Sequence, residues 1–266
     1  MSAMDYVKKS VVDLMQAARD WRVWVMLGTT DILKRYRRSR IGPFWITASM
    51  VALAAGLGIV YSSIFVMSLS EYLPYVAINF VIWGLISGLV NDGCSAFLES
   101  ESYMKHFNLP KSAYVFRIVF RNLLISAHNF IIVPVVLLSF AIPVQPAIIL
   151  VIPSLVIITL NGLWVGLLLG MLSARFRDMP QTVQSIMQVV FFITPVMFHT
   201  KQLSPSVQSF LDFNPFAACL AIARDPLLGN PPRAHDLILA LVCLCLGWLI
   251  VLPFFGRFRD RIVYWL

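Results

Sequence analysis

The chain has 266 residues, of which 59% are hydrophobic and 13% charged, with a formal net charge of +8. Its charges are unevenly placed: Ile41–Ser70, Tyr72–Asn91, Asn122–Ala174, Met179–Thr200 and Leu237–Gly256 contain no Asp, Glu, Lys or Arg, and each is at least 20 residues long. Roughly 20 apolar residues carry a helix across a bilayer, so this pattern excludes a water-soluble globular domain and indicates a polytopic membrane protein.

The region 1–40 is amphipathic. Trp21, Trp24 and Val25 follow helical spacing, and Thr30 or Asp31 is placed to cap a second short helix running into Lys34-Arg35-Tyr36-Arg37-Arg38. An apolar stripe with tryptophans and a basic edge suits the membrane–water interface. Such a helix serves either as a topology anchor or as an element moved by a soluble partner. No cleavable signal peptide is expected at residues 1–20, which lack an uninterrupted apolar core.

The membrane region, 41–256, divides into six expected spans near 43–67, 72–98, 113–141, 146–173, 181–199 and 237–256. The longest charge-free interval is split at Ala141-Ile142-Pro143-Val144-Gln145-Pro146, where two prolines stop a helix. Helices are expected because lipid leaves no water for unpaired backbone groups, and the short alternating segments of a barrel are missing. Between spans 2 and 3, Glu99–Lys111 is polar, carries both charge signs and an aromatic pair, and reads as a short helix that docks on another protein. Before the last span, Val207–Phe213 and Phe216–Ala223 are each too short to cross. With Asn214-Pro215 between them, they read as two re-entrant half-helices at about 204–229. Residues 257–266 form a tail, and the whole is expected to be one all-α membrane domain.

Six spans put both termini on one side. Of 21 Lys and Arg residues, only Lys201, Arg224 and Arg233 fall on the other side. The positive-inside rule therefore places both termini in the cytoplasm. This asymmetry accounts for the net charge, and no soluble basic face is left over for nucleic acid.

Catalytic signatures are missing. His106, His128, His199 and His235 are scattered, and no nucleophile elbow, zinc motif or glycine-rich phosphate loop is present. Cys94, Cys243 and Cys245 lie in expected spans, which suits buried apolar roles rather than a disulfide framework or a metal site. The pairs Gly84/Gly88, Gly162/Gly166 and Gly166/Gly170 are packing signals. Polar groups inside lipid deserve a functional reading: Asp92, Arg117, Arg121, His128, Asn129 and Asn161. Arg117 and Arg121 near a helix end either snorkel, pair with Asp92 or touch substrate. Among the aromatics, Trp45, Tyr61 and Phe65 in span 1 and Phe191 and Phe192 in span 5 could face an internal passage, where apolar sugar faces stack on rings; lipid contact is the ordinary alternative.

The run Asp31-Ile32-Leu33-Lys34-Arg35-Tyr36-Arg37-Arg38-Ser39-Arg40-Ile41-Gly42-Pro43-Phe44-Trp45 resembles the signature that precedes the first span in permease subunits of ABC exporters for lipid-linked polysaccharides, those of O-antigen, capsule and teichoic acid. Asp31, Arg35, Tyr36, Arg37, Ser39, Gly42 and Trp45 match it, Leu33 departs from a family lysine, and the wording is most similar to the O-antigen branch. The resemblance implies a homodimeric pathway driven by two copies of a separate ATP-binding subunit that carries ATP and Mg, with no cofactor on this chain. It implies docking of that subunit at Glu99, Glu101, Tyr103, Lys105 and His106. It further implies headgroup contact at Arg35, Arg37, Arg38 and Arg40, a passage lined by Trp45, Tyr61, Phe65, Phe191 and Phe192, and residence in a bacterial inner membrane. Two other readings stay open: the permease of a small-molecule ABC exporter, and a membrane-embedded enzyme of lipid-linked sugar metabolism. The enzyme needs a carboxylate or histidine cluster at the membrane surface, which the sequence does not show.

Overall fold

The computed structural model describes residues 3–37, 42, 44–200 and 203–266, and among these all regular secondary structure is helical. Arg38, Ser39, Arg40, Ile41, Pro43 and Lys201 lie outside the described residues. The amphipathic α1 (Ala3–Arg19) and then α2 (Trp21–Tyr36), whose apolar residues do not gather on one face, lead into α3 (Phe44–Ile64) and α4 (Leu69–Ser95). A single 3-10 turn at Leu98–Ser100 leads to the short α5 (Glu101–His106). Then come α6 (Ser112–Asn129), α7 (Ile132–Ser139) and α8 (Val151–Arg175), the last preceded by a 3-10 segment at Pro146–Leu150. The chain continues through α9 (Met179–Ile193), α10 (Pro205–Asp212), α11 (Pro215–Leu227), α12 (Ala234–Phe258) and α13 (Ile262–Trp265).

Five stretches among the described residues are long and apolar enough to cross a membrane: Phe44–Ile64, Leu69–Ser95, Ser112–Ser139, Pro146–Arg175 and Ala234–Trp265. The third is not one straight helix. It breaks at Phe130 and Ile131, because Pro134 cannot donate to the Phe130 carbonyl four residues back and its ring crowds that oxygen. At the expected span 181–199 the helix is shorter than expected. α9 has only 15 residues, about 22 Å of helix at the standard rise, and stops before Pro195. A residue preceding proline is pushed out of the helical region, and Thr194 is extended at φ −98°, ψ 140°.

The non-helical continuation of α9 is pinned by one face of α4. Tyr72 Oη donates to the Met197 carbonyl at 2.6 Å, Asn79 Nδ2 donates to Val196 at 3.0 Å, and Tyr75 Oη lies 3.1 and 3.0 Å from the carbonyls of Pro195 and Phe198. Irregular backbone at membrane depth is tolerated where protein satisfies it in this way. The break between α10 and α11 follows the expected pattern. Asn214 caps α11 by accepting from the Phe216 and Ala217 amides, and Pro215 occupies the first turn, where its missing N–H costs nothing.

α4 is the centre of the bundle. Its buried side chains form the hydrophobic core together with those of α6, α8 and α11. Where α4 crosses α8, a Cβ on Gly93 would stand 2.9 Å from the Gly166 Cα, so the two backbones approach closely. Gly162 and Gly170 also face α4, Gly162 against the Leu89 side chain and Gly170 against the Gly93 carbonyl, whereas Gly84 faces Met50 of α3 and Gly88 faces Asn122 of α6. Cys245 is exposed and Cys243 half-buried on α12, so these two do not fill the buried role expected of them. No group of three His, Cys, Asp or Glu side chains suited to a metal ion occurs among the described residues.

α1 is seated by long-range polar contacts. Asp13 accepts from the Lys111 and Ser112 amides at 3.1 and 2.9 Å and from the Ser112 hydroxyl at 2.6 Å, capping the start of α6, and pairs with Arg259 at 3.2 Å. Ser10 Oγ donates to the Leu252 carbonyl in α12 at 2.5 Å. α2 packs along α6 through Trp24, which stacks on Phe116 at 5.7 Å, and through the buried Gly28 and Ile32. It is one continuous helix. The Thr29 and Thr30 hydroxyls bond back to the Val25 and Met26 carbonyls, so neither threonine nor Asp31 caps a second helix. The termini, α5 and most of the basic residues therefore lie at one end of the bundle, which we call the basic end.

Candidate functional site

Two arrangements carry chemistry. The first is a charge cluster at the basic end. Arg117 and Arg121 sit one turn apart on α6 and are both buried. Arg117 makes a paired contact with Asp31 of α2 through Nε at 2.6 Å and Nη2 at 2.7 Å. Arg121 reaches Glu99 at 2.8 Å and Asp92 at 3.1 Å, and Asn122 donates to the same Asp92 oxygen at 3.0 Å. The arginines neither snorkel nor point at an open cavity. They tie α2, α4 and the approach to α5 into one ionic unit, in which removing one partner leaves a buried charge unpaired.

That unit also divides the expected docking segment. Glu99 is taken by Arg121, and the Tyr103 ring lies 5.3 Å below the Arg117 guanidinium, so these two hold α5 in place. Lys105, His106 and the neighbouring Phe107 are exposed, as a docking tip requires. Lys105 donates to Glu101 at 2.6 Å, and that hydrogen bond holds the Glu101 carboxyl below the usual range. Burial lowers the ammonium pKa of Lys111, at the far end of the segment. Arg35 and Arg37 are exposed at the end of α2, while Arg38 and Arg40 fall outside the described residues.

The second arrangement is a groove of about 450 Å³ between α4 and α9. Its walls are Trp83, Ser87 and Asn91 from α4 and Gln184, Met187, Gln188, Phe191 and Phe192 from α9. α9 presents three stripes. Val183 and Met187 are buried, Ile186 and Val189 are exposed and apolar, and Gln181, Gln184, Ser185 and Gln188 are exposed and polar. Phe191 rests on Trp83 at 5.7 Å and on Phe80 at 5.9 Å, leaving Phe192 71% exposed at the rim.

The five expected passage aromatics do not come together in one place. Phe191 and Phe192 line the groove. Tyr61 and Phe65 pack on each other at 5.9 Å and, through Phe65, on Tyr72, two to three turns along α4 from Trp83. Trp45 is 61% exposed at the start of α3. The amides of the groove were not singled out in the sequence, although their recurrence at Gln181, Gln184 and Gln188 within a charge-free interval is a usable signal. At the end opposite the basic one, Arg224 pairs with Asp225 at 2.7 Å and donates to Tyr75 Oη at 3.2 Å, which ties α11 to α4.

Comparison with known proteins agrees with this architecture. The family described as ABC-2 type transporter matches residues 22–228, which run from α2 through α11 and include both arrangements. The chain is 20% identical over 214 residues, 77% of its own length and 80% of the other's, to the O-antigen export system permease protein RfbA of Klebsiella pneumoniae. Such a permease works with a separate ATP-binding partner. By the extent of the match, this multi-pass membrane protein is a transport permease rather than an enzyme, and it belongs to the ABC-2 type transporter family.

Proposed function

We propose that two copies of this chain, with two copies of the ATP-binding subunit that carries ATP and Mg, export a lipid-linked polysaccharide of the O-antigen type across the bacterial inner membrane. The observation that carries this reading is the polar stripe of α9. Amides exposed at bilayer depth are costly against hydrocarbon and need water or protein on that side. Aromatic rings beside them offer sugar faces a surface to slide on. The chain's likeness to an O-antigen export permease supports the same cargo. In this reading the basic end faces the cytoplasm, in accord with the positive-inside rule. Lys105, His106 and Phe107 then meet the ATP-binding subunit, Arg35 and Arg37 attract the anionic headgroup of the cargo, and α10 and α11 cover the outer end as re-entrant helices. The short α9, with its pinned continuation, completes the sixth crossing.

The test is cysteine accessibility in a background without the native cysteines. Single cysteines at Gln184, Gln188 and Phe192 should react with a membrane-impermeant thiol reagent during ATP-driven export, and Ile186 and Val189 should not. Protection of all five positions, with the complex correctly inserted and hydrolysing ATP, would place the passage elsewhere.

A further inference from the structure

The α4–α9 groove and the basic end differ in one respect that bears on what passes through. Ser87, Asn91, Gln184 and Gln188 supply donors and acceptors to the groove between Trp83 and Phe192, and no lining residue is ionisable. Of the charged groups close by, Asp178 at the N-cap of α9 is exposed, and Asp92, Arg175 and Arg177 have partners. The carboxylate of Asp92, next to Asn91, is held by Arg121 and Asn122. At the start of α9, Arg177 donates to the Leu266 carbonyl at 2.7 Å, and Arg175 lies over the Trp265 ring at 5.4 Å. Beyond these, there is no charge from Met179 to Thr200, through α9 and its continuation, none in α4 from Tyr72 to Asn91, and none from Phe44 to Ser70, through α3. A second copy of the chain adds the same uncharged helices.

We infer that the repeating units of the exported polymer are uncharged, and that its anionic group is confined to the lipid-linked end. This rests on the polysaccharide reading above and adds the charge class of the cargo. A carboxylate or phosphate on every repeat would have to travel at bilayer depth past walls without a fixed cation, at a desolvation cost that nothing there offsets. Hydroxyl groups meet no such barrier. Amides and a serine hydroxyl can both donate and accept, as sugar hydroxyls do. The exposed Arg35 and Arg37 sit at the basic end, where a single headgroup charge can be held without entering the groove.

The experiment supplies the permease and its ATP-binding subunit, in cells lacking their own exporter, with lipid-linked polymers of neutral or of acidic repeat. Surface polymer is then measured per inserted complex. The neutral polymer should exceed the acidic one by about tenfold or more. Gln188→Lys should narrow that ratio and Gln188→Glu should widen it; both introduce a charge, so a merely disruptive effect would move them in the same direction. Equal export of the two polymers by the native protein, or a shift of the same sign in both variants, overturns the inference. Export of neither polymer by an inserted complex that hydrolyses ATP overturns the polysaccharide reading itself, and the inference with it.

Discussion

α3 and α4 are consecutive, and their most apolar stretches have the same mean hydropathy of 1.8, yet 78% of that stretch is buried in α4 against 11% in α3. Hydropathy thus decides that a helix lies in the bilayer and not what it lies against. The difference comes from polar and small residues. α4 offers Tyr72, Tyr75 and Asn79 to the unwound end of α9, Gly93 to α8 and Asp92 to α6. α3 keeps Leu53, Ile59 and Val60 exposed, a surface suited to lipid or to a second copy of the chain.

The comparison breaks most sharply at the ionic anchor of α4. Arg121→Met leaves Glu99 without this partner and Asp92 with Asn122 alone; both carboxylates are partly exposed, so the cost should be about 2–3 kcal/mol, read as a lower melting temperature in detergent. Unchanged thermal stability would mean that the cluster is solvated in the membrane. Next comes the backbone crossing. Gly93→Ala pushes a methyl against the Gly166 Cα and should destabilise by about 1–3 kcal/mol, whereas Gly56→Ala in α3, with nothing within 4 Å, should be tolerated. Equal melting shifts for the two would remove any energetic meaning from the burial contrast. A smaller effect is expected at Asn79. Asn79→Ala frees the Val196 carbonyl at a cost of about 1 kcal/mol and should raise hydrogen exchange at residues 194–199 while leaving α3 unaffected.

The smallest effect lies outside both helices. The Glu101 pKa is lowered in the folded protein by the hydrogen bond from Lys105, so the pair stabilises α5 above the ordinary carboxylate range and loses that contribution as pH falls through the lowered value. Glu101→Gln should remove this acid-side decline without changing stability at neutral pH by more than a surface pair does. A decline that persists in the variant assigns it to another carboxylate.

The membrane class, five of the approximate crossings, the Pro143/Pro146 turn and the Asn214-Pro215 break were legible, because each is written within a few residues of where it acts. Asp31 was not. Its position before a basic run looks like a cap, and its real partner, Arg117, lies 86 residues away. The expected span at 181–199 ran through Pro195, but extended Thr194 before that proline ends the helix outright. The groove was half legible. Phe191 and Phe192 were found by ring type, while Gln184 and Gln188 escaped a search for charge and motif, since an amide on a helix reveals its surroundings only once Trp83 and Asn91 stand opposite. Of the four arginines expected to meet a headgroup, only Arg35 and Arg37 are among the described residues.

The seating of α1 carries a consequence for biosynthesis. Ser10 finds its acceptor 242 residues later, at Leu252, and Asp13 needs Ser112 and then Arg259. α1 is therefore made long before the segment that completes its seat. A nascent chain halted before α12 carries α1 with one side uncovered, so arrival of the C-terminal segment is what closes the basic end, and a quality-control factor that recognises the bare face of α1 would thereby distinguish unfinished chains from finished ones.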